Sequence, residues 1–307
     1  VNYWYSGQDS LAILAYEEVL GYHQQQSNLK GQATTINNIA LLHYNGGEYR
    51  LALENHQQAS RIFEQLDLRK NLINSLSNEG VVFLALSDYP RALELFLNAL
   101  AKTEDNDAWE RGNLLNNLGL VYKNLNELEK AKSYYLQGLD HYRKTENQQS
   151  ESLALGNLSA VAQLQKDFTQ AQTYLENSLQ INRRIGNPRR LASDFSSMGN
   201  LLLAQDQPKQ ALQFLDSARI LYQNLEENLS LSSVLLQLAQ AKEKLGESPR
   251  VLLELEQNAL RWAQLSGSLD AQQSAWLALS RREEELGDFR QSLASFRQAT
   301  LFKDSIF

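Results

Sequence analysis

Asparagine side chains recur along this chain at intervals of 39 or 40 residues, and they are the groups best suited to bind another chain. Each amide has hydrogen-bond donors and an acceptor, so a row of them could bond the backbone of an extended peptide whatever its sequence. The row consists of Asn38, Asn78, Asn117 and Asn157. A structural role stays open as the alternative, because such an asparagine can also tie one helix to the next or cap a carbonyl group.

Other side chains would share the same surface if it forms a groove. The residues expected there are Asn37, Asn116, Asn200, Tyr44 and Lys123. Because the surface is mainly neutral, it favours a neutral, partly apolar extended segment over an acidic chain terminus as the ligand. The predicted partner is therefore a protein or an extended peptide.

Groups that could catalyse a reaction or hold a metal are scattered. The four histidines are His23, His43, His56 and His141. Two of them, His43 and His56, occupy positions where the repeat described below expects an aromatic residue, so core packing explains them better than metal binding. The chain has no cysteine, no His-Glu-x-x-His run, no phosphate-cradling Gly-Lys loop and no nucleophile elbow. We expect no catalytic residue, no cofactor and no metal site in this segment.

The charge of the chain argues against two further kinds of partner. Lysine and arginine number 29 against 36 aspartate and glutamate residues, which gives a formal net charge of −7. Such a chain has no general attraction to nucleic acid or to an anionic membrane surface. It also lacks any apolar run of about 18 residues. We expect no nucleic-acid partner and no membrane span in this segment.

A small residue returns along the whole chain at intervals of 39 to 41 residues. The series is Ala12, Ala52, Ala92, Ala131, Ala171, Ala211, Val251 and Ser292. A turn residue usually lies five positions before it and an acidic residue follows, as in Gly47-Glu48. A large residue such as Phe96 lies four positions after it, which places both on one face of a helix. A period in this range indicates stacked helical repeats, so the predicted fold is all-α.

The third full unit resembles the tetratricopeptide repeat most clearly, through Leu118-Gly119, Tyr122, Ala131 and Tyr135. Trp276 stands at the opening tryptophan position of that family in the last unit. The resemblance implies an α-solenoid of antiparallel helix pairs that forms a right-handed superhelix, with the first helices lining a concave groove. It covers residues 1–307 as a single solenoid with seven repeats and a partial first one. The expected units are 1–32, 33–72, 73–111, 112–151, 152–191, 192–231, 232–272 and 273–307.

Long arrays of 40-residue units also resemble the input regions of bacterial sensor histidine kinases and diguanylate cyclases. The ending 301–307 resembles the junction that leads there into a membrane span or a coiled coil. This resemblance implies a non-catalytic binding module in a larger bacterial signalling protein, in the periplasmic part of an inner-membrane protein. The alternatives are a free-standing scaffold or adaptor for the assembly of protein complexes, and the peptide-sensing region of a cytoplasmic regulator.

Overall fold

The computed structural model describes residues 9–303, which form fifteen α-helices and no strand. In chain order they are α1 (Asp9–Gln25), α2 (Leu29–Asn45), α3 (Tyr49–Gln65), α4 (Arg69–Ala85), α5 (Tyr89–Ala101), α6 (Ala108–Asn124), α7 (Leu128–Lys144), α8 (Gln148–Leu164), α9 (Phe168–Ile185), α10 (Pro188–Ala204), α11 (Pro208–Asn224), α12 (Asn228–Lys244), α13 (Pro249–Ser266), α14 (Leu269–Glu285) and α15 (Phe289–Lys303). The first eight residues and the end of the predicted junction, 304–307, lie outside the described residues.

The helices divide into two compact units. Unit 1 comprises the residues up to Val161, and unit 2 comprises those from Ala162 onward. After α1, the helices of the described range alternate in chain order between a first helix (α2, α4 and so on) and a second helix (α3, α5 and so on). The all-α tetratricopeptide architecture predicted from the sequence is confirmed.

Short turns in the left-handed conformation end most of these helices. Gly47 and Gly287 adopt φ values of 76° and 82°, which suit glycine. Eight turns place another residue type there, among them Lys166 with a φ of 60°. The following acid caps the next helix in some turns: the Asp88 and Asp167 carboxylates each accept a bond from a backbone N–H three residues on.

The recurring alanines are core residues of the helices that carry them. Ala12, Ala52, Ala92, Ala131, Ala171 and Ala211 are fully buried. On α13 the prediction of Val251 is wrong, because Leu252 is the buried residue there. The turn between α12 and α13 is one residue longer than the turn between α10 and α11, which shifts the register. Glu256, and not Leu255, therefore occupies the large-residue position of α13.

Small residues on the first helices allow the second helices to approach closely. A Cβ atom at Gly119 would lie 2.7 Å from the ring of Tyr135, and one at Gly80 would lie 2.6 Å from the ring of Phe96. In unit 1 the first helices α2, α4 and α6 pack on α3, α5 and α7, and in unit 2 the first helices α10, α12 and α14 pack on α11, α13 and α15. First helices of successive repeats also contact one another: α2, α4 and α6 in unit 1, and α10, α12 and α14 in unit 2. The first helices thus form a continuous face within each unit.

A membrane span needs a helix that is both long and apolar. Between residues 9 and 303, no helix is long enough and apolar enough to cross a bilayer.

Candidate functional site

The first helices of unit 1 line an open pocket of about 290 Å³. Its lining comes from α2, α4 and α6 and consists of Asn37, Ile73, Asn74, Ser77, Asn78, Trp109, Glu110, Asn113 and Leu114. Four of these side chains are amides. Asn74 lies four residues before Asn78, so both project from the same face of α4. We call this site the amide pocket.

Buried donors on the second helices hold two of the four amides. The Nδ1 atom of His56 lies 2.8 Å from Oδ1 of Asn37. The Tyr142 hydroxyl donates to Oδ1 of Asn113 over 2.8 Å. In both amides the carbonyl end is engaged by the protein, so the group directed at a ligand is the amide nitrogen, a donor.

His56 is fully buried at the large-residue position of α3. Burial lowers its pKa to about 4, so the imidazole is neutral near pH 7. A neutral ring that donates from Nδ1 to the Asn37 oxygen carries its proton on that nitrogen. The histidine predicted to serve core packing therefore does so, and it also orients an amide of the pocket.

The start of α6 brings an aromatic ring and an acid to the pocket. Trp109 is 44% exposed, and Glu110 follows it in the first turn of the helix. Asp107, the N-cap residue, is buried and forms an ion pair with Arg69. The hydrogen bond from Arg69 is the main cause that lowers the pKa of Asp107 to about 2. This ionised pair fixes the helix start from which Trp109 and Glu110 project.

The structure places three asparagines of the predicted row in two different settings. Asn78, together with the predicted neighbour Asn37, lines the amide pocket. Asn117 donates from Nδ2 to Oγ of Ser77 over 3.5 Å, and Asn157 donates to Oδ1 of the buried Asn116 over 2.9 Å. Both of these bonds connect the first helices of successive repeats.

The remaining predicted site residues are not in the lining of the amide pocket. Asn38, Tyr44 and Lys123 are half-buried on first helices of unit 1. Burial raises the pKa of Tyr44 and lowers that of Lys123. Asn200 is exposed on α10, in unit 2. The structure therefore brings together two of the nine predicted residues in one pocket.

Sequence reasoning missed Asn74, Trp109 and Glu110 as pocket residues. The signal for Asn74 was present, since a residue four positions before Asn78 shares its helix face. Trp109 and Glu110 have no counterpart in the repeat pattern, and only the packing of α6 beside α4 shows that they reach the same pocket.

Unit 2 has a pocket of different chemistry on its own first helices. It measures about 580 Å³ and lies where α12, α13 and α14 meet. Its lining consists of Leu236, Gln240, Glu243, Lys244, Glu256, Leu277, Ala278 and Arg281. The charges in it are paired: Arg281 lies 3.0 Å from Glu243, and Lys244 lies 2.7 Å from Asp206. We call it the charged pocket.

A buried ion pair lies beneath the charged pocket. Arg282 and Glu256 are both 1% exposed, and Nη2 of the arginine lies 3.1 Å from the carboxylate. Glu243 and Glu285 also pair with the guanidinium. Arg282 stands where earlier first helices have buried apolar residues, such as Val82. In the described part of the chain, no three His, Asp or Glu side chains are grouped to hold a metal.

Solved structures of other helical repeat proteins resemble this fold. The apo quorum sensor NprR from B. thuringiensis has a TM-score of 0.75 at 14% identity, over 95% of this chain and 82% of its own. A signal transduction ATPase with a tetratricopeptide repeat sensor, from Pyrococcus horikoshii, has a TM-score of 0.70 at 12% identity, over 93% of this chain and 43% of its own. A Rap protein complexed with competence and sporulation factor has a TM-score of 0.57 at 14% identity, over 98% of each chain. No curated protein matches the sequence.

The prediction that the array is the periplasmic part of an inner-membrane protein is wrong. Family models described as tetratricopeptide repeat match residues 31–105, 112–143 and 150–224, and they recognise the repeat itself rather than a membrane-anchored input region. The predicted location depended on a likeness to kinase input regions, which the comparisons do not show, and on a junction whose last residues lie outside the described range.

The segments matched by these models cover more than half of the 307 residues. Each contains the helix pair with a buried alanine that the sequence predicts. The chain belongs to the tetratricopeptide repeat family.

Proposed function

We propose that this chain is a non-catalytic binding module, and that an extended segment of a peptide or a protein binds in the amide pocket of unit 1. The observation that carries this proposal is the pocket itself, which four asparagines line together with Trp109, a residue that is 44% exposed. Amides satisfy backbone groups of any sequence, and the indole provides apolar surface to bury.

The two fixed amides favour binding because they are already oriented before the ligand binds. His56 and Tyr142 already hold the oxygens of Asn37 and Asn113, so both nitrogens are presented to a peptide carbonyl at little further cost in entropy. A single hydrogen bond contributes only about 0.5–1.5 kcal/mol. Measurable affinity therefore requires several of the amides together with burial of the indole face.

We further propose that the array is the sensory or regulatory region of a larger bacterial signalling protein, with a histidine kinase or a diguanylate cyclase as the first candidate for its output domain. Likeness in fold to a quorum sensor and to a Rap protein complexed with competence and sporulation factor supports a peptide-sensing role. Intact mass and terminal sequencing of the native polypeptide test this, because a scaffold would carry no output domain.

Peptide binding is tested by selecting a phage-displayed library of random dodecapeptides on the protein and titrating a selected peptide by calorimetry. Replacing Asn74 and Asn78 together with alanine should weaken binding more than tenfold. The matched control replaces two exposed amides on second helices of unit 2, Gln213 and Asn258, and should change affinity less than twofold. Equal affinity of both double variants and the wild type would contradict the proposed site.

A further inference from the structure

The amide pocket has a single ionisable group in its lining. Of the nine side chains that form it, only that of Glu110 is acidic or basic, and the others are amides, a serine, an indole and apolar groups. A ligand side chain in this pocket therefore meets one negative charge and no lining positive charge.

Two neighbouring arginines form their direct bonds with other groups, and Arg69 interacts with the Glu110 carboxylate only at a distance. Arg69 pairs with Asp107 and lies 3.2 Å from Glu104. Arg111 donates to Oγ1 of Thr103 over 2.9 Å. Glu110 itself lies in the first turn of α6.

An exposed indole lies next to this charge. Trp109 precedes Glu110 in the chain, and both line the pocket. The face of an indole attracts a cation within about 6 Å of its centroid, and the attraction adds to that of a nearby carboxylate. A guanidinium or ammonium group satisfies both partners at once, whereas an acidic side chain would face Glu110 as a like charge.

We infer that the amide pocket selects a peptide with a lysine or arginine side chain, which lies against the Trp109 indole and pairs with the Glu110 carboxylate. This inference rests on the proposed function, because it names the ligand chemistry of the same site. The asparagines bond the peptide backbone without regard to sequence, and the Trp109–Glu110 pair supplies the preference.

Parallel selections of the dodecapeptide library on two charge variants test the inference. The wild type should enrich lysine and arginine at least threefold at one peptide position. Glu110→Lys should abolish this enrichment. Glu94→Lys makes the same charge change at an exposed residue of α5 and should leave the enrichment intact. A wild-type pool without basic enrichment, or the same basic enrichment with Glu110→Lys, would overturn the inference.

A double-mutant cycle, which combines a neutral isostere in the peptide with Glu110→Gln in the protein, then tests whether the basic side chain contacts Glu110. Citrulline in place of the enriched arginine, or norleucine in place of lysine, should weaken binding to the wild type about tenfold and to Glu110→Gln less than twofold. Equal losses with both proteins would show that the basic side chain binds elsewhere. If no peptide is selected, or if selected peptides bind the Asn74/Asn78 double variant normally, the proposed function fails as well. Selected peptides that need the asparagines but show no charge preference overturn only this inference.

Discussion

One second helix in each unit has a histidine or a glutamate at the large-residue position, and the two units supply its partner differently. In unit 1 the residue is His56, and its partner Asn37 lies on the first helix of the same repeat and lines a pocket. In unit 2 the residue is Glu256, and its partner Arg282 lies on the first helix of the following repeat and is buried. The same position thus orients a ligand-facing amide in unit 1 and ties two repeats together in unit 2.

The two pockets also differ in whether their polar groups already have partners within the protein. The amide pocket contains groups that still need hydrogen-bond partners from outside, whereas the charges of the charged pocket are already paired within unit 2. For this reason we propose the amide pocket as the binding site, although it is the smaller of the two pockets. When the charges of a cavity are already paired within the protein, few polar groups remain to bind a ligand, whatever the volume of the cavity.

The largest expected effect comes from breaking the buried pair of unit 2. Arg282→Ala should destabilise the α13–α14 region by about 3–5 kcal/mol, because it leaves the Glu256 carboxylate buried without its partner. Replacing both residues with leucine should restore most of that stability. Amide hydrogen exchange of α13 and α14 measures both effects.

Arg281→Ala is the matched control, since its side chain is 64% exposed and pairs with Glu243 at the surface. It should cost less than about 1 kcal/mol. Similar losses for the Arg281 and Arg282 variants would show that the buried pair is no special feature of unit 2.

His56 should make unit 1 sensitive to acid. Its folded pKa of about 4 lies below the ordinary value of 6.5, so the stability it provides is present above pH 6.5 and is lost as the pH falls toward 4. The loss is on the order of 3 kcal/mol, because each tenfold difference in proton affinity between the folded and unfolded states corresponds to about 1.4 kcal/mol. His56→Phe, the residue type at Phe96, should remove this dependence in hydrogen exchange of α2 and α3. An unchanged slope between pH 4 and 6.5 would contradict it.

Asp194 should give unit 2 the opposite dependence. It is buried on α10 and accepts hydrogen bonds from Ser178 and Asn182, and burial raises its pKa to about 6 from 3.8. The folded state then holds its proton more tightly, so this contribution is full below pH 3.8 and is lost as the pH rises through 6. The change is about 3 kcal/mol, from the same conversion. Asp194→Asn should flatten the curve for α9 and α10, and a decline that persists in this variant would assign it to other groups.

The smallest effects concern the bonds between first helices in unit 1. Asn157→Ala removes the donor to the buried Asn116 oxygen and should cost about 1–2 kcal/mol. Asn117→Ala breaks a bond of 3.5 Å and should cost no more than about 0.5 kcal/mol. Thermal unfolding of both variants gives the ranking, and the reverse order would show that these distances do not reflect the strength of the bonds.

The sequence was sufficient to predict the helix pairs, because the alanine spacing repeats through almost the whole chain. It failed at Val251, where one extra turn residue shifts the helix and makes Leu252 and Glu256 the buried residues. The partners of Asn117 and Asn157 depend on how neighbouring first helices are aligned, which a single sequence does not reveal. Trp109 was not predicted as a pocket residue, because its position has no counterpart in the other repeats.

The eight turns that force a residue other than glycine into the left-handed conformation have a practical consequence for protein engineering. Lysine or glutamate in such a turn costs about 1 kcal/mol or more compared with a relaxed backbone. Glycine removes that strain, but it loses more conformational entropy on folding, which offsets part of the stabilisation. Lys166, Glu146 and Glu226 are the first positions to exchange. None of them lines the amide pocket, so thermal tolerance and ligand recognition can be optimised separately in this array.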